Sequence, residues 1–128
     1  MTWKTLRPHI RAAVALGITF TVAACWQDET ISGYADRAAS YVLVEPKGHS
    51  LTLRFPRKGR VSGDAGCGEF TARQGAPYPW VEFDRIEGGA GCAPFPEALT
   101  TMSLAEVSGG TLILTGEGGS EWVFQARP

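Results

Sequence analysis

The sequence predicts an α+β domain, in which a small and mainly antiparallel β-sheet carries one helix between its fourth and fifth strands. Three observations support this prediction. Sixteen Gly and eight Pro among 128 residues indicate many turns, and therefore short strands. Apolar residues alternate with polar ones in several short segments, which is the period of half-buried strands. A single segment has helical spacing instead.

Four strands are predicted in the first half of the domain. The clearest is SLTLRFP, 50–56, because Leu51, Leu53 and Phe55 alternate with polar residues and are expected to face the core. A Pro-Lys-Gly turn precedes this segment and connects it to an apolar, β-branched strand. The other three predicted strands are 41–45, 60–66 and 80–87.

The helix is predicted directly after the fourth of these strands. Pro94 and Pro96 suit the first turn of a helix, where the missing N–H costs nothing. Apolar residues then recur at the spacing of one helical face, so this helix is expected to cover one open end or face of the sheet. The residues of that apolar face are Phe95, Ala98, Leu99 and Met102.

Three final strands are predicted to form an antiparallel meander. Their sequences are LAEV, TLILT and EWVFQA, and the glycine-rich turns SGG and GEGGS separate them. Alternation along the last two strands predicts which side chains face the core. These are Leu112, Leu114, Trp122 and Phe124.

Residues 1–24 are predicted to be a lipoprotein signal peptide. Residues 1–11 are basic and residues 12–24 carry no charge, which is the order of the positive and apolar regions of an export signal. A transmembrane anchor is the alternative, but crossing ~30 Å of hydrocarbon takes roughly 20 apolar residues, more than this run provides. Because the basic tip leads straight into the apolar run, nucleic acid is not an expected partner.

Cys25 is the predicted site of lipid attachment. Val22-Ala23-Ala24-Cys25 resembles the bacterial lipobox, in which an aliphatic and two small residues precede a cysteine that is joined to diacylglycerol. The alternative is an ordinary signal peptide that leaves Cys25 as a spare thiol, a liability in an oxidising compartment. Trp26, rather than Asp, follows the cysteine. By the rule for enteric lipoproteins, this residue favours the outer membrane, with the domain facing the periplasm.

Residues 25–40 are predicted to be a polar tether, and residues 41–128 the folded domain. The tether is mostly polar, so it would lift the domain off the lipid surface. Ile31 and Tyr34 are the apolar residues at which we expect it to dock on the domain.

Cys67 and Cys92 are predicted to form a disulfide. Once Cys25 is assigned to lipid, two cysteines remain in an exported domain, and an even count favours a bridge. A metal site is the alternative. It is disfavoured because neither cysteine belongs to a CxxC pair and only His49 follows the signal peptide. No metal and no cofactor are therefore expected.

The residues that carry catalytic chemistry are sparse, so we expect no enzyme activity. A Ser–His–acid triad would need His49, which lies in a predicted turn. Glu82 and Asp84 lie on one face of a predicted strand, but an ordinary solvated face is favoured over acid–base work or Ca²⁺ binding. A small basic cluster is favoured as solvated turn charge over a site for acidic lipid or glycan. It comprises Arg54, Arg57, Lys58 and Arg60.

Tyr78 and Trp80 form a possible contact surface. They lie in the segment APYPW, 76–80, where Pro77 and Pro79 stiffen the chain. Rigid aromatic side chains are frequent at the centres of binding interfaces. The alternative is that these two side chains close the rim of the sheet as an aromatic plug.

The order of these elements resembles the META, or HslJ-like, domain of bacterial lipoproteins over residues 41–127. The resemblance implies a small, barrel-like antiparallel sheet with one helix, in an envelope protein without an established catalytic activity. Gly68 stands where the family usually has Asn, and the run before Cys92 is unusually rich in glycine. The matching positions are Leu51-Thr52-Leu53-Arg54-Phe55, Arg60-Val61-Ser62-Gly63, Gly66-Cys67, Phe70, Phe83, Ile86, Cys92, Leu112-Ile113-Leu114, Gly119 and Trp122-Val123-Phe124.

Together these expectations describe a monomeric, lipid-anchored protein of the bacterial cell envelope. The lipidated N-terminus is expected to attach the protein to the membrane. The domain is expected to bind an unknown protein or other envelope component, in envelope maintenance or in a stress response. The alternative function is a periplasmic inhibitor of a lysozyme or protease, a job that other small disulfide-bridged β lipoproteins perform.

Overall fold

The structure, a computed structural model, describes residues 28–92 and 94–128. The first four strands are β1 (Ser40–Glu45), β2 (Thr52–Arg57), β3 (Arg60–Asp64) and β4 (Glu69–Gln74). The last four are β5 (Phe83–Gly88), β6 (Met102–Ser108), β7 (Thr111–Gly116) and β8 (Glu121–Arg127). They form one antiparallel sheet in the order β5-β4-β3-β2-β1-β8-β7-β6.

The predicted core residues of β2, β7 and β8 are confirmed. Alternate side chains of these strands face inward, as the two-residue period requires, and all of them are buried. Tyr41 of β1 and Leu99 join them with no exposed surface. The confirmed residues are Leu51, Leu53, Phe55, Leu112, Leu114, Trp122 and Phe124.

The predicted helix is wrong, and with it the α part of the α+β class. Among the described residues there is no α-helix, and the segment contains only a 3₁₀ helix at Glu97–Thr101. Met102, the expected end of the helical face, instead begins β6 and pairs with Gly116. So short a segment gains too little from helical hydrogen bonds to offset nucleation, whereas sheet pairing satisfies the backbone from Met102 onward.

The barrel-like closure is also wrong, because the sheet is open. Its edge strands, β5 and β6, do not pair. An isolated bridge between Trp80 and Leu104 with two flanking backbone hydrogen bonds, and a hydrogen bond from the Val107 N–H to the Tyr78 hydroxyl, connect β6 to the segment before β5. Pro77 and Pro79 have no N–H to donate, so this segment cannot continue as a regular ladder strand.

Strand β4 was not predicted. Because of this extra strand, the 3₁₀ helix lies between the fifth and sixth strands rather than between the fourth and fifth. The inward residues of β4 are Phe70, Ala72 and Gln74, all nearly fully buried. Alanine and glutamine give no hydrophobic alternation, so the two-residue period is hidden in the sequence.

The predicted disulfide between Cys67 and Cys92 is confirmed. It links the β3–β4 turn to the loop after β5, with the two Cα atoms 5.9 Å apart. Gly88 lets β5 reach this loop, since its φ is 88° and a Cβ atom there would lie 2.5 Å from the Glu69 carbonyl oxygen. The bridge therefore joins the free ends of three neighbouring strands.

Antiparallel order divides the turns between two ends of the sheet. The N-terminal end comprises the segment 28–39 and the strand ends and turns at 57–60, 73–85, 108–111 and 127–128. The disulfide end comprises 45–51, 64–69, 87–101 and 116–121. These two names are used below.

Candidate functional site

The segment before β1 is docked on the sheet from the first described residue. Ile31 is 1% exposed and belongs to the core, and Thr30 and Ser32 beside it are buried. Asp28 holds the segment together, since its carboxylate accepts hydrogen bonds from the Thr30 amide at 2.9 Å and hydroxyl at 2.6 Å, and from the Ser32 hydroxyl. The Arg37 guanidinium pairs with the same carboxylate at 2.7 Å.

The pKa of Asp28 lies below its usual value of 3.8. Burial by itself would raise the pKa of this carboxyl, because it disfavours the charged form. The hydrogen bonds from Ser32 and Thr30, together with the nearby charge of Arg37, favour the carboxylate and outweigh burial. The docked segment is therefore most stable when Asp28 is ionised.

Tyr78 connects this segment to the sheet. Its ring stacks on Tyr34 with centroids 4.1 Å apart and planes at 16°. Its backbone N–H donates to the Glu29 carbonyl oxygen at 2.8 Å. Its hydroxyl oxygen accepts from the Val107 N–H of β6 at 3.0 Å. Tyr78 is thus fixed from three sides.

Trp80 lies on the outer surface, two residues beyond Tyr78. Its neighbour Val81 faces the core, so Trp80 faces outward beside Leu104 and is 57% exposed. Tyr34 is 55% exposed, and these are the two large exposed hydrophobic side chains of the described residues. We call Tyr34, Tyr78 and Trp80 the aromatic surface. The sequence predicts that Tyr34 docks the tether on the domain, but it does not predict Tyr78 as the contact, because that stacking depends on the fold.

The loop that carries Tyr78 and Trp80 is held by a buried glutamine. Gln74 is 1% exposed at the end of β4. Its side-chain oxygen accepts from the Ala76 N–H at 2.8 Å and the Glu82 N–H at 3.0 Å, and its side-chain nitrogen donates to the Ala76 carbonyl at 3.0 Å. One side chain therefore satisfies three backbone groups on both sides of the loop, which keeps the aromatic surface in a fixed position.

Basic side chains form a row on the outer face of β2 to β4. Arg60 of β3 is paired in register with Arg57 of β2 on one side and Arg73 of β4 on the other. Direct cross-strand partners point to the same face, where like charges repel. Within the described part of the chain the ion pair of Asp28 and Arg37 is the only one, so these three arginines form no ion pair, although Asp84 of β5 is the cross-strand partner of Arg73.

Arg85 extends this row at a β-bulge. It is the one non-glycine residue with positive φ among those described, at 50°, and the bulge leaves consecutive side chains of β5 exposed. Arg60, Arg73 and Arg85 line a surface cavity of about 230 Å³ together with one acidic side chain, Glu87. Sequence reasoning grouped only the residues near the β2–β3 turn, because Arg73 lies in the strand that was not predicted.

The remaining predicted residues do not form a second site. Cys25 and the signal peptide lie outside the described residues. His49 is exposed and meets Phe95 edge-on at 5.4 Å. Glu82 and Asp84 are both exposed. Within residues 28–92 and 94–128 no group of three or more metal-ligating side chains comes together, and no helix is long and apolar enough to cross a membrane.

Comparison with known proteins adds no family, since no protein-family model, curated protein or solved structure matches the chain. The resemblance to the META domain thus stays a prediction that depends on the sequence positions given above.

Proposed function

We propose that the chain is a membrane-anchored envelope lipoprotein whose META-like domain acts by binding, in envelope maintenance or stress, rather than by catalysis. The disulfide between Cys67 and Cys92 is the observation that carries the proposal. A bridge of this kind persists in oxidising compartments and is rare in the cytosol. In an exported protein, the apolar run before Cys25 acts as part of a signal peptide and Cys25 is the site of lipid attachment.

The aromatic surface supports a binding role. Trp80 exposes more than half of its surface from a loop that Gln74 and Tyr78 hold in place. Ordering a side chain costs entropy when a complex forms, so a group that is already fixed binds more tightly. Aromatic residues also dominate the energy of many interfaces.

Intact mass of the protein taken from membranes tests the proposal. We expect a chain that begins at Cys25, carries diacylglycerol on that sulfur and shows no free thiol before reduction. A chain that keeps residues 1–24, or that has two alkylatable thiols without reductant, would contradict it. Cys25→Ser is the matched variant, and it should lose the lipid mass.

The alternative of a hydrolase inhibitor is favoured by the same fixed and exposed loop. The membrane-extracted protein would be mixed with a lysozyme or a protease and the residual hydrolysis measured. Inhibition that Trp80→Ala weakens would support the alternative. Unchanged hydrolysis at equimolar protein would contradict it, and the maintenance role would remain the proposal. Gln125→Ala, an exposed substitution on β8, is the control.

A further inference from the structure

Charge is divided unequally between the two ends of the sheet. The disulfide end has one basic and seven acidic residues, whereas the N-terminal end has seven basic and five acidic ones. At the N-terminal end, Asp28 is neutralised by Arg37. The basic residues there are Arg37, Arg57, Lys58, Arg60, Arg73, Arg85 and Arg127. The acidic residues of the disulfide end are Glu45, Asp64, Glu69, Glu87, Glu97, Glu117 and Glu121.

The length of chain before the docked segment limits where the domain can lie. Asp28 is bound within the segment that Glu29 and Ile31 hold on the sheet, and only Trp26 and Gln27 separate it from Cys25. Three residue steps span about 10 Å at most. If Cys25 carries the lipid, as proposed above, the N-terminal end of the sheet is held against the bilayer surface and cannot turn far from it.

We propose that the N-terminal end docks on the anionic phospholipid surface of the membrane that anchors the chain. The guanidinium groups of Arg57, Arg60 and Arg73, which form no ion pair among the described residues, contact headgroup phosphates, which arginine binds with two parallel N–H donors. The aromatic surface adjoins this end, and tyrosine and tryptophan favour the headgroup level of a bilayer. The acidic disulfide end faces away from the lipid, since anionic headgroups repel it.

This docking explains two features that folding alone does not favour. Arginines in direct cross-strand register repel one another, and anionic headgroups would remove that repulsion. Arg85 is held at positive φ, a conformation that costs an arginine free energy. The bulge that imposes it adds a further guanidinium to the same row. The partner of the aromatic surface is, on this inference, the membrane itself.

Hydrogen exchange of the acylated protein in vesicles tests the docking. Vesicles of phosphatidylcholine alone would be compared with vesicles that contain one quarter phosphatidylglycerol. We expect amides at 57–60 and 76–80 to exchange severalfold more slowly only with phosphatidylglycerol, while the turns at 64–69 and 116–121 do not change. The protection should disappear in 0.5 M NaCl, because salt screens exposed charges.

Two substitutions that each remove one exposed positive charge provide the matched pair. Arg60→Gln should lower the phosphatidylglycerol-dependent protection about fivefold, the contribution of one basic residue at an anionic surface. Lys47→Gln, at the disulfide end, should leave it unchanged. Equal effects of the two would overturn the docking, because they would show that net charge rather than this end is responsible.

The outcomes separate this inference from the proposed function. An acylated chain whose exchange is the same in both vesicles would overturn the docking and leave the lipid anchor standing. A chain without acyl groups would overturn both. Protection that appears only in native envelope membranes would assign this end to another envelope component, and the lipid assignment would be wrong.

Discussion

Two three-stranded units flank the central pair β1 and β2, and they are built differently. The meander β6–β8 places large apolar side chains such as Leu112, Leu114 and Phe124 in the core. The unit β3–β5 places Val61, Phe70 and Phe83 there beside the small or polar Gly63, Ala72 and Gln74, and a disulfide joins its strand ends. Both units therefore bury apolar side chains, but the second has fewer large ones and adds a covalent bridge and the hydrogen bonds of the buried Gln74.

The difference extends to the outer faces. The register of β7 with β8 is continuous, and β6 shifts against β7 only at its start. In contrast, β5 carries a bulge next to Arg85, and a row of arginines crosses β2, β3 and β4. The disulfide limits how far the strands of β3–β5 can separate. This unit can therefore tolerate repulsion between the like charges on its outer face. We therefore expect stability to depend most on the meander and binding to depend most on β3–β5.

Phe124→Ala should produce the largest loss of stability. Phe124 has no exposed surface, and truncation of a buried phenylalanine costs about 4 kcal/mol through lost burial and a cavity. Denaturant unfolding of the oxidised protein measures it. Gln125→Ala, on the exposed side of the same strand, should stay within about 0.5 kcal/mol. A loss below about 2 kcal/mol for Phe124→Ala would contradict the apolar role of the meander.

Removal of the disulfide should have the next largest effect. Cys67→Ser combined with Cys92→Ser should cost about 3.5 kcal/mol, the chain-entropy estimate for a sequence separation of 25 residues. Wild-type protein in reductant is the matched control and should lose the same amount. By hydrogen exchange, β4 and β5 should lose more protection than β7 and β8. Equal loss of protection in all four strands would show that the disulfide does not stabilise β3–β5 more than the meander.

Gln74→Leu should cost about 2 kcal/mol and loosen the loop that carries the aromatic surface. The change leaves the amides of Ala76 and Glu82 without their acceptor, and buried groups of this kind are costly when unpaired. Exchange of the amides at 75–82 would measure the loosening. Unchanged exchange in this loop would show that Gln74 does not hold it.

Gln74→Glu is the companion variant, and its stability should depend on pH in one direction. The carboxyl is buried, which raises its pKa in the folded protein, and its protonated form can donate to the Ala76 carbonyl as glutamine does. Stability should therefore be highest below the unfolded pKa of about 4.3 and fall as the pH rises through the folded value.

The predictable part of the fold is the part whose core residues are apolar. The meander and β2 could be predicted because Leu, Phe and Trp alternate with polar residues there. Strand β4 could not, since Ala72 and Gln74 face inward and the role of Gln74 is a set of hydrogen bonds across the following loop, to Ala76 and to Glu82. The helical spacing after Pro94 was misleading, because short apolar runs fit both a helix and a strand.

The candidate site was predictable only in part for a related reason. Tyr78 and Trp80 stand out because prolines flank them, and the disulfide follows from cysteine count. The stacking of Tyr34 on Tyr78 and the alignment of Arg60 with Arg73 depend on register across strands. One sequence does not specify which strands become neighbours, so these contacts appear only in the folded chain.

Acid should release from the sheet the docked segment that precedes β1. The folded-state pKa of Asp28 is lowered, so the stability it contributes is present above pH 3.8 and is lost as the pH falls through the folded value. Asp28→Asn should weaken docking by about 1.5 kcal/mol, since hydrogen bonds to a charged group are lost. Exchange of the Ile31 and Ala35 amides between pH 3 and pH 6 measures it. A wild type and a variant with the same pH profile would assign the docking to other contacts.

Arg85→Gly and Arg85→Ala separate strain from charge in β3–β5, with the smallest effect expected. Both remove the guanidinium, but only glycine accepts a φ of 50° without strain. Arg85→Gly should therefore be more stable than Arg85→Ala by about 1 kcal/mol in denaturant unfolding. Both should weaken lipid-dependent protection equally, because both lack the charge. If alanine were as stable as glycine, the bulge at Arg85 would hold no strain, and the contrast between the meander and the arginine-bearing unit β3–β5 would lose that support.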